Sequence, residues 1–295
     1  MPSGARKPKP PWLRRRFVYK SSTNEVNTLL RDLGLHTVCQ EAHCPNQLEC
    51  FGNYTATFMI LGGQCSRNCT FCAVSHGVQK PPDPGEPHRV ALAVSRLSLQ
   101  YVVITSVTRD DLIDGGGAHF AATIEAIHML RTHILVEVLV PDFMGSNQAL
   151  AAVLKAKPAV LNHNMETVPR LYPSVRPQAD YQRSLDLLAK AKGMDQEVVT
   201  KSGFMVGLGE EPEEVIELLR DLWRANCDLI TIGQYLRPSE NHHPVVEYIH
   251  PDLFQAYRQE AERLGFAAVV SGPYVRSSYQ AEKLYKRAVS KGQIA

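Results

Sequence analysis

The chain has 295 residues, 44% hydrophobic and 21% charged, with a formal net charge of +2. Those proportions exclude a disordered or fibrous chain and are enough to bury a sizeable core. No run of about 20 predominantly apolar residues occurs, so a helical bilayer span is excluded as well.

The first twenty residues read as a basic arm. They carry Arg6, Lys7, Lys9, Arg14, Arg15, Arg16 and Lys20 and no acid. They lack the apolar core of a signal peptide, and Pro2, Pro8, Pro10 and Pro11 break the amphipathic helix of a transit peptide. A cytoplasmic protein is expected. The remaining body has 25 basic against 30 acidic residues, so neither nucleic acid nor a membrane is an expected partner.

Next comes Cys39-Gln-Glu-Ala-His-Cys44-Pro-Asn-Gln-Leu-Glu-Cys50, a C-x4-C-x5-C triad. A strand is predicted over 56–61, and Cys65-Ser-Arg-Asn-Cys69-Thr-Phe-Cys72 follows it with the spacing C-x3-C-x2-C. Six cysteines thus fall within 34 residues, while Cys227 stands alone and reads as a small buried hydrophobe. Disulfides suit such a chain poorly, since it is large and shows no secretory signal. Further β-branched runs predict strands over 101–107, 134–140, 159–161, 198–206 and 229–236, with a possible seventh over 266–270. Helical periodicity fills 88–99, 118–130, 147–155, 180–192, 213–225 and 251–264. Such alternation implies a parallel sheet of βαβ units. Six units predict a partial or open barrel.

Several strand ends are polar, as at the carboxyl edge of α/β enzymes. Thr105 and Ser106 end one strand, Asn162-His-Asn-Met-Glu166 another, and Gln234-Tyr-Leu-Arg237 a third. Gly62-Gly63 and Asp114-Gly-Gly-Gly117 read either as turns or as backbone brought close to a ligand. His242-His243 reads as a solvated doublet, and the scattered methionines read as core filler. Three thiolates on one short loop converge on one centre, and soft thiolates select zinc or iron–sulfur clusters. A zinc site would be completed by His76, although zinc loops favour paired knuckles. Three cysteines on a four-iron cube leave one iron open.

The C-x3-C-x2-C loop after the first strand of an incomplete α/β barrel resembles the radical S-adenosylmethionine (SAM) superfamily. That resemblance implies a [4Fe–4S] cluster on Cys65, Cys69 and Cys72 whose free iron binds SAM, yielding a 5′-deoxyadenosyl radical. The first triad, Lys9-Pro-Pro-Trp12 and Arg276-Ser277-Ser278-Tyr279 are similar to the lipoyl synthases within it. So are Leu35-His-Thr-Val-Cys39, Thr108-Arg-Asp-Asp-Leu112, Val168-Pro-Arg-Leu171, Lys201-Ser-Gly203 and Gln234-Tyr-Leu-Arg-Pro-Ser239. The resemblance covers nearly the whole chain.

It implies a second [4Fe–4S] cluster on Cys39, Cys44 and Cys50, with Ser278 as fourth ligand; spacing alone leaves Ser277 and Ser278 open. An oxygen ligand leaves a soft iron–sulfur centre more easily than a thiolate does, which suits a cluster dismantled for its sulfur. Either serine also reads as an N-cap for a helix over 279–289. The resemblance places Thr105, Ser106, Asn164, Glu166, Lys201 and Arg237 near SAM, and His43 reads as a donor supporting the Cys44 ligand.

The implied reaction inserts sulfur at C6 and C8 of an octanoyl group on a lysine of a lipoyl carrier domain. Carriers would be 2-oxoacid dehydrogenase E2 subunits or the glycine cleavage H protein, with a ferredoxin or flavodoxin as electron donor. The implied organisation is an arm and auxiliary-cluster segment over 1–54, a partial (β/α)6 barrel over 55–265 and a C-terminal segment over 266–295. Both extensions are expected to cover the barrel mouth. Two rivals are a methylthio- or biotin-type sulfur inserter and a zinc-stabilised nucleic-acid module. The Arg-Ser-Ser-Tyr segment argues against the first and the acidic body against the second. If Arg14-Arg-Arg16 steers an acidic carrier, removing residues 1–16 raises the KM for carrier in a salt-dependent way. An unchanged KM at low salt rules that role out.

Overall fold

The computed structural model describes residues 8–15, 18–130, 133–290, 292 and 294. Helix α1 (Ser22–Asp32) leads through a short strand β1 (His36–Thr37) to helices α2 (Val38–Glu41) and α3 (Gln47–Gly52). The barrel starts at β2 (Thr57–Ile60), followed by α4 (Glu86–Arg96), β3 (Tyr101–Ser106), α5 (Gly117–Leu130), β4 (Leu135–Leu139) and α6 (Asn147–Lys155). Then come β5 (Val160–Asn162), α7 (Tyr172–Val175), α8 (Tyr181–Met194), β6 (Val199–Val206) and α9 (Pro212–Arg224). The chain ends with β7 (Leu229–Gln234), α10 (Pro251–Leu264), β8 (Ala268–Gly272) and α11 (Ala281–Ser290). All strands lie in one sheet in chain order; β2 to β8 are parallel, and β1 pairs antiparallel with β2. The partial barrel is therefore as expected, with β8 as a real seventh parallel strand. Among the described residues no helix is long and apolar enough to cross a membrane.

Local chemistry sets the element ends. Asp180 caps α8 by accepting from the Arg183 amide at 2.7 Å, and α9 opens with Pro212 inside a Glu211–Glu214 capping box. Gly115 and Gly116 turn the chain into α5 with φ of 57° and 91°. A Cβ on Gly117 would stand 2.9 Å from the Ala149 carbonyl, so this glycine lets α5 pack closely on α6. The three glycines are a turn and a helix contact.

Alternation along the strands divides the core. Val102, Ile104, Val136 and Val138 face α4, α5 and α6, while Phe204, Val206, Ile230 and Ile232 face α9 and α10. Inside the barrel, at the amino ends of the strands, Val160, Val199, Leu229 and Ala268 pack on Leu284 and Ala288 of α11. Tyr101 and Val103 meet Ala281 and Tyr285 beside them. Helix α11 thus plugs the barrel end opposite the mouth. Burying Leu284 there contributes about 2 kcal/mol relative to an exposed position.

A polar layer lies above the plug. Glu137 accepts from Lys201 Nζ at 2.7 Å, Asn162 Nδ2 at 3.1 Å and the Tyr101 hydroxyl at 2.6 Å, all out of water. The C-terminal segment crosses the barrel nearby on bare backbone. A Cβ at Gly233 would sit 2.2 Å from the Val275 carbonyl, and one at Gly203 would sit 3.4 Å from Ser277 Cβ. Because α11 begins at Ala281, the capping position is Gln280 and neither serine caps the helix. The methionine expectation is half right, since Met59 and Met165 are core but Met129, Met144 and Met194 are exposed.

The Glu137 layer yields a stability prediction. Lys201→Met leaves a buried carboxylate without its cation and is expected to cost about 3–5 kcal/mol in urea denaturation. Adding Glu137→Gln is expected to recover most of that loss, because Tyr101 and Asn162 can still bond the amide.

Candidate active site and cluster-binding cavity

At the carboxyl ends of the strands the barrel opens into a cavity of about 830 Å³. All six clustered cysteines line it, as do Ser277 and Ser278. Cys227 is buried elsewhere, in the outer core beside α9 and α10.

The β1–β2 pairing delivers the first triad to the cavity edge. Thr37 caps α2, accepting from the Gln40 amide at 3.3 Å, which sets Cys39 in the first turn. The Cys44 amide bonds the Cys39 carbonyl at 3.1 Å, and Cys50 follows on α3. Burial first, then the neighbouring Cys44, pushes the Cys39 thiol to about 11. Burial followed by Cys39 and Cys44 pushes Cys50 to about 12. Cys39 feels Cys44, and Cys50 feels both, so the triad is gathered. His43 stands among them in left-handed backbone, φ 49°.

The second triad is pinned from several sides. Arg67, between Cys65 and Cys69, meets Asp110 at 2.6 and 2.9 Å and Asp142 at 2.6 and 3.1 Å. These tie the loop to the exits of β3 and β4. The Thr70 amide bonds the Val175 carbonyl at 3.0 Å, and the Thr108 amide donates to Cys65 Sγ at 3.3 Å. The histidine doublet is engaged, contrary to expectation: His242 Nε2 donates to the Cys72 carbonyl at 3.0 Å and His243 Nε2 to the Leu208 carbonyl at 3.0 Å. Burial pushes Cys72 to about 12 and raises Cys69, although Arg176 opposes the latter.

These thiols fit a metal cluster. Desolvation and mutual repulsion hold Cys39, Cys50, Cys69 and Cys72 towards the protonated form, and cationic iron reverses both effects. Among the described residues no three His, Cys, Asp or Glu side chains converge as they would on one ion. Thiolates of a cube each bind a different iron and stand further apart. His76 forms a backbone bridge with Cys65 and lines the same cavity.

Of the residues expected near SAM, Thr105, Ser106, Asn164, Glu166 and Arg237 line the cavity. Ser106 Oγ and Asn164 Oδ1 are buried without a partner among the described residues, which fits polar groups of a bound cofactor. Asn164 Nδ2 reaches Glu166 at 3.0 Å and Ser277 Oγ at 3.3 Å. Burial raises the Glu166 carboxyl despite Arg176 nearby. Thr105 spends its hydroxyl on the Leu139 carbonyl at 3.0 Å, and Arg237 Nε on that of His242 at 2.9 Å. Lys201 is not brought to the cavity; it is the cation of the Glu137 layer. Gly62, Gly63 and the 115–117 glycines do not line it either.

The sequence reading gave no role to Arg67 or Arg176, and placed His163 at a polar strand end without assigning it one. Arg176 is buried over the Tyr172 ring and donates to the Asn164 and Met165 carbonyls at 3.0 and 3.1 Å. His163 gives its Nδ1 proton to the Val140 carbonyl at 2.8 Å, and burial lowers it to about 4, so it stays neutral. An arginine inside the cysteine loop flanked by downstream aspartates was the one available signal.

The Radical SAM superfamily model matches residues 59–222. The chain is 57% identical to the lipoyl synthase of Caldicellulosiruptor saccharolyticus, over 94% of this chain and 98% of that protein. It is 53% identical to the lipoyl synthase of Alkaliphilus metalliredigens, over 95% and 97%. Two solved structures share the fold. Methylornithine synthase has a TM-score of 0.54 at 16% identity, over 84% of this chain and 74% of that one. HydG, a maturase of the [FeFe]-hydrogenase, has a TM-score of 0.57 at 14% identity, over 85% and 63%. With full-length identity above one half and the triads lining one cavity, the chain belongs to the lipoyl synthase family of radical SAM enzymes.

Proposed function

We propose that this chain inserts sulfur at C6 and C8 of an octanoyl group borne on a lysine of a lipoyl carrier domain. Cys65, Cys69 and Cys72 hold the cluster that binds SAM. Cys39, Cys44, Cys50 and Ser278 hold the auxiliary cluster. The observation that carries this assignment is that both triads and the Arg-Ser-Ser-Tyr serines line one cavity.

When bound, the two [4Fe–4S] clusters and SAM supply the radical and the sulfur; the protein binds, orients and excludes. Ser106 Oγ and Asn164 Oδ1 offer SAM two buried, unspent polar atoms. Glu166 is held beside Asn164 for the same ligand, with Thr105 and Arg237 on the surrounding wall. Leu139, Val140, Met205 and Val275 give that wall apolar surface suited to an acyl chain. Arg67, locked to Asp110 and Asp142, fixes the cysteine loop against the strand ends, so the reacting groups keep one geometry.

Carriers of this reading are E2 subunits of 2-oxoacid dehydrogenases or the glycine cleavage H protein, with ferredoxin or flavodoxin donating electrons in the cytoplasm. Residues 1–54 bring the auxiliary triad, 55–265 the barrel and 266–295 the segment with Ser278. Arg15 pairs with Glu49, so any steering of the carrier falls to other cations of the arm; Arg16 lies outside the described residues.

Iron and labile sulfide counted after anaerobic purification test the assignment. About eight of each per chain are expected, falling to about four when Cys65, Cys69 and Cys72 are all replaced by Ala. Zinc, or about four irons in the unaltered chain, overturns one of the two triads. Conversion of an octanoylated lipoyl domain then distinguishes this reaction from other sulfur insertions.

A further inference from the structure

The auxiliary triad and the segment bearing Ser278 are joined by contacts that meet on one carboxylate. Glu49, next to Cys50, accepts from the Tyr279 hydroxyl at 2.8 Å through Oε1 and pairs with the Arg15 guanidinium through Oε2. Tyr279 directly follows Ser278. Arg15 also donates to Asn46 Oδ1 at 3.3 Å and lies 5.3 Å from the centroid of the Tyr274 ring. Asn46 completes the circuit by donating from Nδ2 to the Tyr274 carbonyl at 2.8 Å. Arm, triad and C-terminal segment are thereby closed into one ring of contacts around Cys44, Cys50 and Ser278.

Every member but Arg15 lies close in sequence to a proposed cluster ligand without being one. Asn46 is two residues from Cys44, Glu49 one from Cys50, and Tyr274 and Tyr279 bracket Ser278. A serine oxygen is a weak ligand for a soft iron centre, so its retention depends on how firmly its backbone is held beside the metal. Two tethers five residues apart hold that backbone. The hub is partly open to solvent, with side-chain exposures of 31% for Arg15 and 27% for Glu49, so it is a restraint of modest strength.

We propose that Arg15, Glu49 and Tyr279 form a clasp that keeps Ser278 seated on the auxiliary cluster, and that opening the clasp releases the serine and its iron. The proposal rests on the reading of Ser278 as the fourth ligand. The three are positioning residues: they act through the serine.

The test uses the full chain carrying Cys65→Ala, Cys69→Ala and Cys72→Ala, which holds the auxiliary cluster alone. Iron passing to ferrozine under anaerobic conditions is followed by absorbance, with iron content and cluster spectrum matched at the start. Tyr279→Phe is expected to speed loss of the first iron about fivefold, the effect of one hydrogen bond. Glu49→Ala should match it, and Glu49→Gln, which keeps an oxygen for Tyr279, should be milder. Ser278→Ala should be faster still and should not be accelerated further by Tyr279→Phe. If Ser278→Ala accelerates loss while Tyr279→Phe and Glu49→Ala do not, the clasp is wrong and the ligand stands. Additive acceleration in the double variant, or equal acceleration of all four irons, means general loosening and also overturns it. An unchanged rate in Ser278→Ala overturns the ligand assignment and the clasp together. Should Tyr279→Phe fail to load a cluster, the two Glu49 variants decide by the same outcomes.

Discussion

Thiols drawn out of water beside one another resist ionisation, as Cys39, Cys50, Cys69 and Cys72 do, and much of this architecture holds their two triads in place despite that. Burial raises Cys39 to about 11 and Cys50 and Cys72 to about 12, and near neighbours add to the effect within each triad. A thiolate is what binds iron, and ionising these thiols is unfavourable until a cationic centre stands beside them. The surrounding contacts fix the positions of the loop that carries Cys65, Cys69 and Cys72. Loop carbonyls are tied by His242 and His243, loop amides by Val175 and Thr108, and the intervening Arg67 by two carboxylates.

The same constraint explains the chain's third segment. Residues 274–279 run across the inward face of β6 and β7, a route that exists only because Gly203 and Gly233 carry no side chain there. Beyond them α11 turns down and fills the amino end of the barrel with Leu284, Tyr285 and Ala288. Both ends of the barrel interior are thus occupied by one continuous stretch of chain. Between its two ends lies the Glu137 layer, which is polar yet fully partnered at the carboxylate. The cavity therefore stands above an ionic layer that does not line it, and its C-terminal wall is continuous in sequence with the plug.

Much of this was legible from residues alone. Near-continuous β-branched runs marked the parallel strands, because both faces of such strands are buried. Cysteine spacing marked both triads, since ligands on one short loop must share a centre. The polar strand ends marked the barrel mouth for a topological reason, and of the six residues that the family resemblance placed near SAM, five line the cavity. Lys201 was misplaced because its neighbours in sequence are at the mouth while its position in β6 is one layer lower, opposite Asn162. The inward period of two puts Lys201 below Gly203, and strand register cannot be read from composition. His242 and His243 looked solvated since their partners, Cys72 and Leu208, are distant in sequence. β8 was marginal because Ala268-Val-Val-Ser-Gly272 is short and ends in small residues whose inner face meets the C-terminal segment.

The two triads are anchored in physically different ways, and the difference matches what each must endure. The Cys65–Cys72 loop is fixed by Arg67, whose side chain is 3% exposed and faces Asp142 at 0%. Breaking such a pair leaves a buried charge uncompensated, so this anchor does not open under ordinary fluctuation. The Cys39–Cys50 triad is tied to the segment carrying Ser278 through Arg15 and Glu49, at 31% and 27%, where water competes for both partners. Under the proposed assignment, a centre that would hold SAM gains from rigidity, since any slackness is lost positioning. A centre that would give up sulfur needs ligands able to leave and return, which a deeply buried anchor would oppose. The depths of the two anchors, one in the interior and one nearer the surface, are consistent with that division.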